Sequence, residues 1–462
     1  MNKIPLPKDI RSQMGRLTLR KIARYVFSII GIAMFIFVLL FLFFPDPFIN
    51  TIFRDRISKY LIETYPAYSI KLGDMHFDLL ENNLKCDSII LESIDSSFSC
   101  SAYPLSISGI RWIKIFLQRD FTLDVFTHTF IDAENITTNL YKEQNELQFE
   151  NLHISLPDSE MTISSIKYRP AIDDEQFFAK SPFRQTRMRI NIPHMKIIGL
   201  DYISLIRGNL FAAKSITLKN IFADILVNMD MPSNNSLPNP RMPNEFFSSR
   251  KEEVEIDSLI IINGRLKYSE RYIINKLPGV ITFDSVKILV SGIANHTIQP
   301  DTTYIMGTGL FMNSGLIKVS MAIPLTSKDF SLQYLGSLSK MDLTEINSFT
   351  EPGEHKRIKS GSMHSAAFNI LVNSGYANGN LRAEYSDLSI ALLDKDTGSE
   401  NGIFNQISTL ISKTFVIRKN NIPGEKDSMK IGEIKYTRNP DDTFLQFLWF
   451  ALRSGIGDVI GF

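Results

Sequence analysis

The apolar and polar positions of this 462-residue chain form two patterns: one long apolar run near the start, then a much longer alternating region. Residues 25–44 carry no charge, and a helix of that length covers the roughly 30 Å apolar core of a bilayer. Seven basic residues precede the run, against the single acid Asp9. The positive-inside rule therefore predicts a cytoplasmic flank at 1–24 and a transmembrane signal-anchor helix at 25–44. A cleaved signal peptide is the alternative, but its apolar region is shorter and ends in a small-x-small site, which does not follow this run.

Beyond the run, the spacing of apolar residues changes from helical to alternating. Residues 48–64 place apolar side chains opposite Arg54, Arg56 and Lys59, which predicts an amphipathic helix near the bilayer surface. From Tyr68 to about residue 395, apolar side chains recur at every second position, which predicts strands. Each strand has one polar face, so antiparallel pairing is expected.

Two further signals concern breaks in the strands. The alternation changes phase between Leu218 and Ile221, and a β-bulge near Asn220 would produce that change. The Asn-Gly pairs at 263–264 and 378–379 supply the positive φ angles that tight turns need, so they predict two hairpins.

The predicted fold class is mainly β: an N-terminal transmembrane helix followed by an elongated, curved antiparallel β-sheet groove with a few short helices. Short helices are expected at 106–118, 403–412 and 443–454. The predicted organisation is a basic flank at 1–24, a signal-anchor at 25–44, an N-terminal β-groove half with a juxtamembrane helix at 45–231, a Pro-, Asn- and Ser-rich loop at 232–252, and a C-terminal β-groove half with an apolar C-terminal helix at 253–462.

Charge and cysteine content narrow the choice of function. The chain has 50 Lys and Arg against 49 Asp and Glu, and most of the basic excess lies in the first 24 residues. The body is therefore slightly acidic, which argues against nucleic-acid binding, since that needs a basic field. Cys86 and Cys100 form one disulfide or are two small buried apolar residues; the sequence leaves both open.

No motif with catalytic spacing occurs in the sequence, so no enzyme activity, cofactor or metal is expected. The seven histidines are scattered singly, which is typical of solvated or core-edge residues. Asp441 and Asp442 form a carboxylate pair, but they precede an apolar run and are better explained as a helix N-cap.

That apolar run, at residues 444–452, is too short to span a bilayer. One interpretation is a helix packed over the end of the sheet. The other is a helix that touches the membrane or stands at the mouth of a groove. The side chains in question are Phe444, Phe447, Leu448 and Trp449.

Several stretches resemble a known family. They are IDSLIIINGRLKY at 256–268, PGVITF at 278–283, MAIPL at 321–325 with YLGSL at 334–338, and GNLRAEYSDLSI at 379–390 with FLQFLWFALRSGIG at 444–457. Together with the N-terminal anchor, they resemble an uncharacterised branch of the AsmA-like envelope proteins of Gram-negative bacteria. The resemblance implies a curved sheet in the periplasm, tethered to the inner membrane by a single pass, with an apolar groove that moves phospholipid or supports outer-membrane assembly.

The expected function is passive binding or passage of phospholipid acyl chains, because an apolar strand face must be covered by protein or by lipid. Each acyl CH₂ is worth about 0.8 kcal/mol in either place. The expected partners are membrane phospholipid and an envelope protein partner or oligomer. The candidate groove residues are Val286, Ile288, Val290, Ile317, Val319, Met321, Ile323, Phe368, Ile370 and Val372.

Two alternatives remain at this point: an anchored assembly factor that binds outer-membrane protein clients, and an envelope hydrolase with an unrecognised site. If about twenty strands pair at about 4.8 Å, the sheet reaches roughly 95 Å.

Overall fold

A computed structural model of the protein describes residues 32, 34–36, 46–48, 50, 54–64, 66–78, 80–111, 126–207, 210–234, 236, 238–273, 276–296, 302–394, 417–424 and 429–461. This part is mainly β, with one large mixed sheet and few short helices. Within these residues, no helix is both long enough and apolar enough to cross a membrane. The predicted anchor at 25–44 lies outside the described residues except at 32 and 34–36, and the predicted helix at 403–412 lies outside them entirely.

Twenty-one strands form the sheet. They are β1 (Tyr68–Leu72), β2 (Met75–Asp78), β3 (Asn83–Cys86), β4 (Ile89–Ser93), β5 (Phe98–Ser108), β6 (Phe130–Leu140), β7 (Asn145–Ser155), β8 (Glu160–Pro170), β9 (Thr186–Ile192), β10 (His194–Ile198), β11 (Leu210–Lys219), β12 (Phe222–Asn228), β13 (Glu253–Arg271), β14 (Gly279–Ala294), β15 (Thr302–Phe311), β16 (Gly315–Pro324), β17 (Leu332–Leu338), β18 (Met341–Asp342), β19 (Lys356–Asn373), β20 (Tyr376–Leu392) and β21 (Ile431–Thr437).

The described helices are short apart from the last. They are α1 (Asp46–Phe48), α2 (Arg54–Thr64), α3 (Asp174–Ala179), α4 (Tyr202–Arg207), α5 (Pro243–Ser248), a 3₁₀ turn (Leu343–Ile346), α6 (Asn347–Glu354) and α7 (Phe444–Ile460). The predicted juxtamembrane helix corresponds to α1 and α2. The predicted helix at 106–118 is wrong at its start, because residues 106–108 end β5, and residues 112–118 lie outside the described part.

Five pairs of consecutive strands lie end to end in one row, because both members pair with the same neighbouring row in one register. They are β1 with β2, β3 with β4, β9 with β10, β11 with β12 and β17 with β18. The strands therefore form sixteen rows. At about 4.8 Å per step, sixteen rows measure roughly 70 Å along the sheet. The expected sheet length of 95 Å is too long, because it counts as separate rows the strands that lie end to end in one row.

One strand pairing departs from the antiparallel expectation. β13 runs parallel to both β11 and β12, in one unbroken register. Parallel neighbours need a crossover connection, and residues 229–252 supply it, with α5 inside. The segment predicted as a loop at 232–252 therefore belongs to a crossover, and the sheet continues from one predicted half into the other.

A line of residues with positive φ crosses the rows at mid-length. Asn151 in β7, Asn220 between β11 and β12, Asn263 in β13 and Ser285 in β14 all have positive φ, between 51° and 56°. The strand register places these positions side by side. We call this line the crease. Register shifts, the mark of a bulge, accompany it at Asn263 and Ser285. The predicted bulge near Asn220 is wrong: β11 and β12 pair with β13 in one register, and the positive φ of Asn220 accounts for the change of phase.

The two Asn-Gly hairpin predictions are wrong. Asn263 is a bulge residue inside β13, and Asn378 lies inside β20. The hairpin between β19 and β20 turns instead at Ser374 and Gly375, which both have positive φ. Asn-Gly signals a positive φ, and a bulge uses that conformation as readily as a turn does.

The disulfide alternative is excluded by register, and both cysteines are free. Cys86 faces Leu105 and Cys100 faces Leu91 on neighbouring strands. The two sulfurs are thus separated along the strands by five residues, or about 16 Å, which is too far for a bridge.

Candidate functional site

The candidate site is the apolar face of the sheet, which follows from the strand register. On one side of the crease, Ile136 of β6 faces Phe149 of β7, which faces Ile166 of β8. On the other side, Ala133 faces Leu152. From Ala133 to Ile136 in β6, and from Phe149 to Leu152 in β7, the apolar positions are three residues apart instead of two. The apolar side chains therefore lie on the same face of the sheet on both sides of the crease.

The same face continues across the parallel pairing into the C-terminal rows. Ile216 of β11 faces Leu259, Leu259 faces Val290, Val290 faces Ile305, and Ile305 faces Met321. No charged residue interrupts this line. We call this continuous surface the apolar face.

The opposite face carries cross-strand ion pairs together with exposed apolar side chains such as Met306 and Leu371, and we call it the polar face. Lys167 meets Glu150 at 2.6 Å and Lys196 meets Glu160 at 2.9 Å. Exposed pairs of this kind contribute about 0–1 kcal/mol each, so they add little stability. They identify the side of the sheet that faces water, and the apolar face therefore lies on the other side.

At its C-terminal end the apolar face is covered by α7. Phe447, Ala451, Gly455 and Val459 recur every four residues on the helix surface that meets the sheet, and all four are buried. The backbones touch closely: a Cβ on Gly455 would lie 2.5 Å from Cγ1 of Ile434. The interpretation of residues 444–452 as a helix packed on the sheet is thus confirmed.

The N-cap of α7 differs from the expectation. Thr443 caps the helix, with its hydroxyl accepting from the Gln446 amide and the Gln446 side chain accepting from the Thr443 amide. Asp442 accepts instead from the Tyr436 hydroxyl at 2.7 Å and from the Asn439 amide. Burial, and then this bond, raise the pKa of Tyr436 to about 12.

Of the four residues proposed for a membrane or groove-mouth helix, Phe447 is fully buried, whereas Trp449 is 41% exposed. Phe444 and Leu448 are half-buried beside the core. Leu445, which was not singled out, is 67% exposed. The helix therefore packs with one side and leaves Leu445 and Trp449 on the other.

The ten candidate groove residues fall into two groups. Met321, Ile323, Ile370 and Val372 are at most 7% exposed and belong to the core cluster that includes Phe447. These four side chains are occupied by contacts with the protein itself and do not form an open wall. The half-buried group consists of Val286, Ile288, Val290, Ile317, Val319 and Phe368.

The apolar face carries an open cavity of about 630 Å³ that spans β13 to β17, with mostly apolar walls and with Lys287, Thr308 and Lys318 also in its lining. One register line runs through its centre: Ile261, Ile288, Gly307, Val319 and Gly336. The two glycines widen the space, although the ring of the neighbouring Phe368 fills the position above Gly336.

The C-terminal half curls around the apolar face. On a flat sheet, β14 and β19 would be about 19 Å apart, since four steps separate them. Yet Phe349 of α6 lies against Gly279, while Asn347, two residues earlier, donates to the carbonyl of Ile358 at 2.8 Å. One turn of helix therefore bridges both strands.

The crossover segment makes a similar bridge at the other end of the strands. Glu245 pairs with Arg438, just after β21, at 2.6 Å. Two residues later, the carbonyl of Phe247 accepts from Asn295, just after β14, at 3.4 Å. Met242 is fully buried in the same core cluster as Phe447. The connection that sequence analysis treated as a loop thus fastens the curl.

Both outer strands of the described sheet have side chains bound to their free edges. The side chain of Asn50 pairs with the backbone of Met75, and Asp46 accepts from the amide of Phe77. At the other end, Asp458 accepts from the Glu433 amide and Ser454 from the Lys435 amide. These contacts occupy backbone groups that an added strand would need.

The contact at the first edge also holds a histidine. His76 lies 2.9 Å from Asp46 and 3.7 Å from Asp87. The hydrogen bond with Asp46 raises the pKa of His76, and the same bond lowers the pKa of Asp46 against a desolvation effect that raises it.

No protein-family model and no curated protein matches this chain. The described residues also contain no group of three or more His, Cys, Asp or Glu side chains placed to hold a metal ion.

Proposed function

We propose that this chain is an inner-membrane-anchored periplasmic protein whose apolar face holds or passes phospholipid acyl chains, in the manner of an AsmA-like β-groove, and so supports outer-membrane lipid homeostasis. The observation that carries the proposal is an apolar register line from β6 to β16. It runs from Ile131 through Ile154, Met161 and Ile197 to Ile216, and from there to Met321 as described above. The cavity of about 630 Å³ lies on the same face, beside the C-terminal part of this line.

The energetics favour a mobile apolar occupant. Burying an apolar strand face stabilises it by about 25 cal/mol for each Å² removed from water, and a face left in water lacks that stabilisation. α7 supplies that cover over β20 and β21, but the side chains around Ile288 and Val319 stay half-buried. Acyl chains fit there because they need no hydrogen bonds and gain about as much as in a bilayer.

The curl and the crease support the groove as well. Both α6 and the crossover segment pull the C-terminal rows around the apolar face, so that face is concave in this half. The covered end under α7 limits passage, and lipid would enter from the N-terminal rows, which follow the predicted anchor.

Gly307→Leu tests the proposal by filling the cavity from within. A Cβ on Gly307 meets only Cγ1 of Ile288 at 3.7 Å and a carbonyl oxygen at 3.9 Å, both ordinary contacts. Glycine in a strand costs roughly 0.5–1 kcal/mol, so the variant should be at least as stable as the wild type. The full chain is purified from membranes, and bound phospholipid is quantified by mass spectrometry.

We expect the wild type to carry phospholipid and Gly307→Leu to carry much less. Asn369→Leu is the matched control, because it adds the same side chain at an exposed position of the polar face, on β19 and outside the cavity. An equal lipid load in all three proteins, or none in the wild type, contradicts the proposal.

A further inference from the structure

A polar cluster interrupts the apolar face at one end of β13. Tyr268 lies on this face, in register between Ile225 and Ile281. Its hydroxyl donates to Glu270 at 2.7 Å, and the hydroxyl of Tyr272 donates to the other oxygen of the same carboxylate. Two phenols thus hold one carboxylate at the edge of an apolar surface.

The tyrosines are embedded rather than solvated. Burial, followed by the bond to Glu270, raises the pKa of both hydroxyls, so they remain neutral donors across the physiological range. The Tyr272 hydroxyl also lies where a Cβ on Gly353 of α6 would come within 2.8 Å. The position of Glu270 is therefore fixed by two packed rings.

A cation without a partner stands beside this carboxylate. Arg184 lies two residues before β9. The registers of β9 with β12 and of β12 with β13, continued by the backbone bonds of Asn228 and Met229, bring it level with Tyr272, two rows or about 10 Å away. Its positive charge also opposes the rise in pKa of both Tyr268 and Tyr272. Its Nε is buried without a hydrogen-bond partner, and across the described residues its guanidinium makes no ion pair. An enclosed N–H without an acceptor is costly, but Arg184 as a whole is half-buried, so the rest of its guanidinium group stays open to an incoming anion.

We propose that Arg184 and Glu270 bind the head group of a zwitterionic phospholipid, with the phosphate on Arg184 and the amine on Glu270. This inference rests on the proposed function, since the tails of that lipid would lie on the adjoining apolar face.

The chemistry of the pair selects this head-group class. Arginine matches phosphate oxygens with a planar set of donors. Glu270 uses two acceptor sites for the tyrosines and, as a carboxylate, has others left for an ammonium group. A purely anionic head group would meet the carboxylate as a like charge. The nearby Glu354 is already paired with Lys356 at 3.0 Å and Arg453 at 3.3 Å.

The test uses the full chain in detergent, incubated with vesicles of equal parts phosphatidylethanolamine and phosphatidylglycerol. Bound lipid is then extracted and both its amount and its composition are measured. For the wild type we expect phosphatidylethanolamine enriched on the order of tenfold, the factor for one charge-assisted hydrogen bond. Glu270→Gln should abolish the enrichment and keep the total load, whereas Arg184→Gln should lower the load of both lipids.

Matched controls replace the same residue types on the polar face. Arg169→Gln and Glu150→Gln remove exposed members of cross-strand pairs and should leave amount and composition unchanged. Tyr272→Phe keeps the ring and removes one donor to Glu270, so a partial loss of enrichment is expected, and it serves if Glu270→Gln does not fold.

The outcomes separate the two proposals. Lipid that matches the vesicle composition in the wild type and in every variant overturns the head-group site and leaves the proposed function standing. A wild type that takes up no lipid overturns both.

Discussion

Replacing Phe447 by alanine should undock α7 and uncover the C-terminal apolar face. The ring is fully buried and meets Phe330 at 5.1 Å and Tyr436 at 5.7 Å between centroids. Truncating a buried Phe costs about 3–5 kcal/mol. Loss of the two aromatic contacts, at about 0.5–1.5 kcal/mol each, places the expected cost in the upper part of that range.

The assay follows the fluorescence of Trp449, on the same helix, during denaturation in a Trp112→Phe background that leaves it as the single tryptophan. Leu445→Ala is the control, because Leu445 lies on the same helix at 67% exposure and its truncation should change stability by no more than about 0.5 kcal/mol. If both variants lose equally little, α7 is not docked on the sheet and the covered end of the groove does not exist.

Two further predictions concern the first edge and the crease. The pKa of His76 is raised in the folded protein, so its bond to Asp46 should stabilise the edge fully below the unfolded pKa of about 6.5 and lose this effect as pH rises through the folded pKa. Hydrogen exchange of the Phe77 amide between pH 5 and 9 measures this stabilisation. A pH dependence that persists in His76→Gln would refute the prediction. Asn263 has φ +56°, so Asn263→Val should lower the free energy of unfolding by about 1–2 kcal/mol and Asn263→Gly by much less. Thermal unfolding measures both changes. Equal losses of stability would mean that the bulge conformation at this position is not required.

The faces of individual strands could be predicted from sequence, because alternation is a local property. The crease could have been found as well. The step from Ala133 to Ile136 in β6 is the same three-residue step as that from Leu218 to Ile221, which was recognised. In a single strand such a three-residue step looks like a local irregularity. Only its recurrence at matching positions of neighbouring strands indicates a crease that crosses the sheet.

Other features depend on contacts between distant parts of the chain. The parallel pairing of β13 with β11 and β12 is set by where residues 229–252 cross, and local pattern does not encode that path. α7 continues past the predicted end at residue 454 because Gly455 packs against β21, although glycine usually signals a stop. The burial of Ile370 and Val372 follows from the same docking.

The proximity of Arg184 to Glu270 left no signal in the sequence. Arg184 precedes β9, while Tyr268, Glu270 and Tyr272 lie at the end of β13, so only the sheet brings them together. The alternation of Tyr268, Glu270 and Tyr272 on one face was the available clue, since a Glu between two aromatic residues on an apolar face calls for a partner.

The most direct test of the account is photo-crosslinking at two positions of the C-terminal rows in the full chain within its membrane. A photoreactive side chain at Ile288 of β14 lies in the cavity on the apolar face, and the same group at Asn369 of β19 lies on the polar face, outside the cavity. We predict phospholipid adducts at position 288 and none at 369. Adducts at neither position, or equally at both, would contradict the claim that the apolar face of this sheet holds lipid.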